Sequence, residues 1–437
     1  MEPLTEPTTQ NTARRFAKLN PATGRLIREY EAATSDQVQG GVACSRQAFL
    51  AWRQVGLSAR ARLLKVVISL LYQRASQVAA IIAEETGKPL ADALEADVGT
   101  ALGVLRYYAD LAPNRLKPRW IRPDLISLIT GRGHWETYHP RGVIAVISPW
   151  NYPLAIPASG LAVALMSGST VVLKPSELTP ATGQWLTDLF REALADQGLP
   201  VDAVQCLLGD GATGADLVAC EIDGVIFTGS DRTGCRIQQS LTERGVWHSL
   251  ELGGSDAMIV LDGCDLETAA SYALWGRYTN AGQACASVKR LLVPAHSLDA
   301  MLILLKEKIA RLRTGPPDDP KNHVGPLISE AQLAILESQV QDALAQGAQL
   351  LAGGKRLPGD GYFYEPTLLG GVPDSARVLR EEVFGPVLPV LPYHTIEEAI
   401  GLVNASRFGL TASVFGPARQ AAHIAAKLEC GTVVIND

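Results

Sequence analysis

The sequence predicts an α/β protein built on parallel sheets, and three observations predict it. Short apolar runs rich in Val and Ile recur without polar interruption, as strands buried on both faces require. Segments whose apolar residues recur at helical spacing fall between those runs. The chain has 437 residues, 47% of them hydrophobic and 19% charged, which is enough for more than one core.

Taken in order, Asn20-Pro21-Ala22-Thr23-Gly24 reads as a turn between two short extended runs. A helix follows from Ser35, with Val38, Val42, Ala48, Phe49 and Trp52 on its apolar side. A second runs from Ser58 to about Ala83 and is stopped by Gly87 and Pro89. A third, from Leu90 to about Leu111, carries Leu94, Val98, Ala101 and Leu105. Asp124 to Tyr138 reads as a β-hairpin turning at Gly131-Arg132-Gly133. Then come the strand runs: Val143 to Ile147, Thr170 to Leu173, Ala203 to Leu208, Gly224 to Phe227, Ala257 to Leu261, Leu291 to Val293 and Gln349 to Leu351. Between them lie helical segments at Ala158 to Met166, Thr179 to Ala195, Gly214 to Cys220, Leu298 to Leu312 and Ser329 to Ala345.

Composition excludes several classes. A net charge of −6 argues against a general nucleic-acid surface. Met1 to Asn20 holds no apolar signal-peptide core, and the apolar region Val143 to Leu173 is broken by Pro149, Asn151, Pro153 and Pro157. No membrane span is expected. The 7 cysteines show no C-x-x-C and no accompanying histidine cluster, so neither a metal site nor a disulfide framework is expected, and a reducing cytoplasm is the natural setting. None of the 7 histidines stands in a relation to Cys285 that suggests a Cys–His hydrolase.

Several strand ends carry chemistry. Gly209-Asp210-Gly211-Ala212-Thr213-Gly214 is a formal G-x-G-x-x-G, weak evidence by itself because ordinary strand-to-helix turns match it. Phe227-Thr228-Gly229-Ser230 can present a hydroxyl and an amide to an anion at a helix start. Lys174-Pro175-Ser176-Glu177 pairs an ammonium with a carboxylate that can take a ribose diol and repel a 2′-phosphate; a solvated ion pair is the plainer reading. Asn151, in Ser148-Pro149-Trp150-Asn151-Tyr152-Pro153, offers an amide to a developing oxyanion, although on this motif alone a turn Asn is the better reading. Glu251-Leu252-Gly253-Gly254 sets a carboxylate beside a Gly-Gly turn. Gly282-Gln283-Ala284-Cys285 sets a thiol among small residues, a pattern that tight packing also produces. Glu382 follows Arg380 and Glu381, as in a surface charge run.

Taken in chain order, Asn20-Pro21-Ala22-Thr23-Gly24, the Ser148 to Pro153 motif, Lys174 to Glu177, Phe227 to Ser230, Glu251 to Gly254, Gly282 to Cys285 and Glu382-Val383-Phe384-Gly385-Pro386 resemble the aldehyde dehydrogenase superfamily over nearly the whole chain. The Gly253-Gly254-Ser255-Asp256 variant and Gly276-Arg277-Tyr278 are most similar to the succinate-semialdehyde dehydrogenase branch.

The resemblance implies roles. Cys285 is the nucleophile, attacking the aldehyde to give a thiohemiacetal and, after hydride transfer to NAD, a thioester. Asn151 forms the oxyanion hole together with the Cys285 amide, and Glu251 activates the hydrolytic water. Cofactor contacts implied are Trp150, Lys174, Ser176, Glu177, Gly211 on the adenine side, Phe227, Gly229 and Ser230 at the pyrophosphate, Leu252, Glu382 at the nicotinamide ribose, and Phe384 beside it. Glu177 favours NAD, with NADP as the alternative. The implied domains are a nucleotide-binding domain (residues 1–120 and 141–250), an oligomerisation hairpin (121–140) and a catalytic domain (251–437), in a homodimer or homotetramer acting on a small-molecule aldehyde. Family members continue beyond the counterpart of Asp437 with a loop near the aldehyde and a strand that pairs with a partner. The resemblance therefore implies a C-terminally incomplete chain with impaired assembly. Two alternatives stand beside aldehyde oxidation: an acyl-transferring relative, which a carboxylate at 251 argues against, and an inactive paralogue with a nucleotide-binding or structural role.

Overall fold

The computed structural model describes residues 14–437, and the chain divides into two compact units. The first contains Leu26–Ile81, Leu94–Glu251 and the described residues through Lys18; the second contains Leu19–Arg25, Ile82–Ala93 and Leu252–Asp437. The reading of Met1 to Asn20 as lacking a leader falls partly on residues 1–13, outside the described residues.

The first unit is organised on a five-stranded sheet in the order Val204–Cys206, Thr170–Lys174, Val143–Ile147, Gly224–Thr228, Trp247–Glu251, every pair parallel. The apolar runs behave as expected: Val143 to Val146 and Val171 to Leu173 are all buried. Helices on both faces exclude water from them, and each fully buried Val, Leu or Ile contributes about 1.5–3 kcal/mol. The chain starts in the middle of this sheet, builds outward to Thr170–Lys174 and Val204–Cys206, then returns to the other side at Gly224–Thr228. The order therefore reverses between Val143–Ile147 and Gly224–Thr228. In an open parallel sheet that switch point opens a crevice at the carboxyl ends of the strands.

Helix starts in this unit follow local chemistry. Thr34 and Gln37 form a capping box for Ser35–Trp52. Pro180 opens Pro180–Asp196, and Asp210 and Ser230 cap Gly211–Ala219 and Asp231–Thr242.

Two expectations are corrected here. The single helix expected from Ser58 to Ala83 is two, Leu57–Gln73 and Ala75–Thr86. Arg74 lies at the break, held by paired bonds to Glu192 at 2.7 and 2.6 Å. A one-residue break barely disturbs the apolar period, so the pattern did not reveal it. The strand expected through Leu125 and Ile129 is a short helix, Leu125–Ile129, because Asp124 Oδ1 accepts the Ser127 N–H at 2.7 Å. The strands that pair are Arg119–Ile121 and His134–Glu136, with Trp120 and Trp135 edge to face at 5.4 Å.

The second unit holds a seven-stranded sheet: Gln349–Ala352, Thr367–Gly370, Val387–Tyr393, Val288–Pro294, Asp256–Val260, Thr411–Phe415, Thr432–Ile435. Only the edge pair Gln349–Ala352 with Thr367–Gly370 is antiparallel. Its core gathers Met258, Ile259, Leu291, Leu292, Leu368 and Val414, all fully buried. No single helix among the described residues is long and apolar enough to cross a membrane.

Candidate active site

In the first unit the predicted residues collect at the carboxyl ends of the sheet. Lys174 closes its strand with a buried side chain, and its Nζ donates to Glu177 Oε2 at 3.3 Å. The solvated-pair reading therefore holds for Glu177, whose side chain is 41% exposed, and fails for Lys174, at 6%. Ser176 Oγ accepts the Leu178 N–H and shapes that turn. Phe227 is buried beneath Gly229, where a Cβ would lie 2.6 Å from its ring. Ser230 Oγ caps the Asp231–Thr242 helix by accepting from Thr233 N–H at 3.4 Å.

The G-x-G-x-x-G behaves as an ordinary turn. Asp210 Oδ1 accepts the Ala212 and Thr213 N–H groups, the donors a phosphate would need, and Arg14 pairs with Asp210 at 3.1 Å. Gly211 is the first residue of that helix and borders open space, since a Cβ there would meet nothing within 4 Å.

Trp150 and Asn151 follow the central strand, with Asn151 buried. The segment after them is anchored by Asp97, whose fully buried Oδ1 accepts Leu154 N–H at 3.2 Å and Ala155 N–H at 3.3 Å. Asp97 lies in a π-helical stretch, Ala93–Gly99, the kind of widened turn that recurs at functional sites. Ser148 Oγ, at the switch point, is buried without a hydrogen-bond partner. Glu251 ends the edge strand with an exposed side chain, its backbone carbonyl accepting the Gly229 N–H at 3.0 Å.

In the second unit the residues lie at the opposite kind of edge. Gly254, Cys285 and Glu382 each precede a strand, so they share the amino ends of the parallel sheet rather than the carboxyl ends. Cys285 follows a left-handed turn in which Asn280 and Ala281 both have φ 53° and Gly282 has φ 71°. For residues with a side chain such backbone costs about 1–2 kcal/mol each. Buried hydrogen bonds hold it. Asp92 accepts the Asn280 N–H at 2.9 Å; Gln283 Nε2 donates to Asn280 O at 3.1 Å and Pro326 O at 3.4 Å, while its Oε1 accepts Ile328 N–H at 2.9 Å. Gly282 cannot carry a side chain, since a Cβ would sit 2.4 Å from Gly385 O.

Glu382 turns inward instead of joining a surface charge run. Its Oε1 accepts the Gly254 N–H and Lys289 Nζ, each at 3.2 Å, while the neighbouring Glu381 pairs with Arg377. Gly253 leaves room for it, because a Cβ there would meet Glu382 Oε2 at 2.4 Å. The backbone after Glu382 is clamped by Arg277, fully buried, which donates to Ser287 Oγ, to Val383 O at 3.0 Å and to Gly385 O. Burial pulls that guanidinium down to about 10. Phe384 lies with its ring centroid 5.9 Å from Lys289 Nζ. Leu252 opens the last segment of this unit and is half-buried.

Burial pushes the half-buried Cys285 thiol up, and the Glu382 and Asp256 carboxylates act in the same direction. The Lys289 charge and the Ala286 N–H oppose them.

Sequence reasoning did not single out Lys289, Arg277, Gln283 or Asp97 for these roles. The available signal was Lys289-Arg290 opening an apolar strand, where a buried charge needs a partner. Among the described residues no cluster of side chains able to hold a metal ion is present.

The sequence model of the Aldehyde dehydrogenase family matches residues 8–437. Among curated relatives, a 4,4'-diapolycopene aldehyde oxidase of Methylomonas sp is 37% identical over 423 residues, 97% of this chain and 78% of that protein. Among solved structures, an aldehyde dehydrogenase from Bacillus cereus in complex with NAD+ superposes with TM-score 0.92 at 32% identity, covering 97% of this chain and 85% of that one. An NADP-dependent enzyme of E. coli gives TM-score 0.92 at 30% identity, over 97% of this chain and 86% of that one.

Proposed function

From its membership of the aldehyde dehydrogenase family, to which this chain belongs, we propose that it oxidises an aldehyde to the carboxylic acid with NAD, through covalent thiohemiacetal and thioester forms of Cys285. The observation that carries this reading is the Cys285 loop: a strained left-handed turn, tied down by hydrogen bonds, presents a half-buried cysteine whose backbone carbonyl accepts from the buried Lys289 ammonium.

Each unit, taken by itself, carries residues suited to part of a dinucleotide. In the first unit, Ser148 Oγ is a buried polar atom lacking a partner at the switch point, and Glu177 offers a carboxylate to a ribose diol. Gly229 and the first turn after Ser230 suit a pyrophosphate, with Phe227 beneath and with Trp150, Lys174, Ser176 and Gly211 at the same strand ends. In the second unit, Glu382 suits the other ribose, with Leu252 and Phe384 near it in sequence. The bound nicotinamide supplies the hydride acceptor.

The chain's own residues do the rest. Cys285 as thiolate adds to the aldehyde carbon. The Asn151 amide and the Cys285 N–H stabilise the oxyanion, and its collapse expels hydride and leaves the thioester. Glu251, exposed and therefore in contact with water, takes a proton from the attacking water and releases the acid and the free thiol. Glu177 disfavours a 2′-phosphate, so NAD is preferred over NADP.

An assay of NADH formation tests this, with aldehydes from short semialdehydes to long polyene aldehydes. The former follow from the resemblance carried by Gly253-Gly254-Ser255-Asp256 and the latter from the relative named as a 4,4'-diapolycopene aldehyde oxidase. Cys285→Ala abolishes turnover. Glu251→Gln retains one burst of NADH and then turns over slowly. Sustained activity in Cys285→Ala would refute the reading.

A further inference from the structure

Lys289 is a fully buried lysine that the oxidation scheme leaves without a task. Its Nζ donates to the Cys285 carbonyl at 2.6 Å and to Glu382 Oε1 at 3.2 Å. The other groups acting on it are Asp256, Arg277 and the Phe384 ring. A lysine with no exposed surface gives up its hydration, so it persists only where acceptors replace water. Both acceptors found here belong to residues assigned to the chemistry, one to the nucleophile's own backbone and one to the candidate ribose ligand.

We propose that Lys289 is a positioning residue for the nucleophile: it pins the Cys285 backbone through the carbonyl and supplies the positive charge that favours the thiolate, offsetting Glu382 and Asp256. This rests on the reading of Cys285 as the nucleophile. The geometry separates two parts of the role. The carbonyl bond needs only a donor, whereas thiolate stabilisation needs the charge. Burial alone disfavours the thiolate, and Lys289 is the cation acting against that tendency. Glu382 competes for the same ammonium, so Glu382 and the thiolate are coupled through it.

The experiment follows alkylation of Cys285 by iodoacetamide across pH, peptide by peptide, on the full chain without added cofactor. Lys289→Gln keeps a donor for the carbonyl and loses the charge; its alkylation midpoint moves up by about one pH unit, leaving about tenfold less thiolate below both midpoints. Lys289→Met moves it similarly and also lowers kcat through the unpinned backbone. Glu382→Gln shifts the midpoint the other way, downward, and decides the question even where the Lys289 variants fail to fold. The half-buried Cys206, whose thiol is pushed up to about 12, stays neutral and slow to label in every folded sample and reports the fold internally. A wild-type midpoint in folded Lys289→Gln, or a midpoint that does not fall in Glu382→Gln, overturns the proposal. Failure of the underlying reading is distinct: Cys285→Ala would then retain turnover whatever the alkylation profiles show.

Discussion

Replacing Gln283 by leucine removes a crosslink while nearly conserving volume, and the structure sets the size of the effect. The side chain is buried and joins the Cys285 loop to residues Pro326 and Ile328. Leucine leaves the Ile328 N–H and the Pro326 carbonyl without that partner. A buried polar group stranded in this way costs about 1–3 kcal/mol, so a loss of about 3 kcal/mol is expected. For a unit of this size each kcal/mol moves the melting midpoint by about 2–4 °C, which gives a fall of about 6–12 °C. The left-handed Asn280 and Ala281 lose part of what holds them, so the burst amplitude of NADH falls along with stability. Circular-dichroism melts and rapid-mixing burst assays measure the two effects. A Gln283→Leu protein that melts within about 2 °C of the parent, with an unchanged burst, would refute the argument that Gln283 maintains the strained turn.

Other outcomes follow from the same geometry. Gly253→Ala drives a methyl against Glu382 Oε2, so the KM for NAD rises while Cys285 alkylation continues; unchanged kinetics would show that Glu382 has no cofactor role. Glu177→Ser narrows the preference for NAD over NADP by about tenfold, read as a ratio of kcat/KM, because a carboxylate no longer faces the 2′-phosphate. Asp97→Ala strands two helix-start N–H groups and destabilises by about 1–2 kcal/mol, with a larger loss in kcat than in KM as Asn151 shifts. Desolvation pushes the half-buried Cys206 thiol up to about 12, so it stays neutral and slow to label at pH values near 8, where the exposed Cys44 and Cys235 react; rapid native-state labelling of Cys206 would contradict its raised pKa.

The alternation of apolar runs and helical segments was legible through Leu351 because strands buried on both faces are apolar; the part-exposed edge strand Trp247–Glu251, with its polar residues, was not read as a strand. Beyond that the signal weakened. Thr367–Gly370, Val387–Tyr393, Thr411–Phe415 and Thr432–Ile435 contain Thr, Gly, Pro or Ser and were not read as strands, yet they complete the second sheet. Local ambiguity also defeated the reading at Leu125–Ile129, where apolar residues on every side suit a strand or a helix and the Asp124 cap decides.

The chemistry divides along the same line. The motifs and their order, through the family resemblance they carry, marked Cys285, Glu251, Asn151, Glu177 and Glu382 as candidates, because nucleophile, base, amide and ribose carboxylate are roles that single side chains within short motifs can offer. The groups that hold them were decided only by the tertiary structure. Lys289, Arg277, Gln283 and Asp97 act through partners between 3 and 108 positions away in the chain. Each is a buried polar group whose placement depends on which acceptors the fold brings to it, and no local pattern encodes that. The same holds for the edges used: a parallel sheet offers both, and only the topology showed the first unit gathering its candidates at carboxyl ends and the second at amino ends.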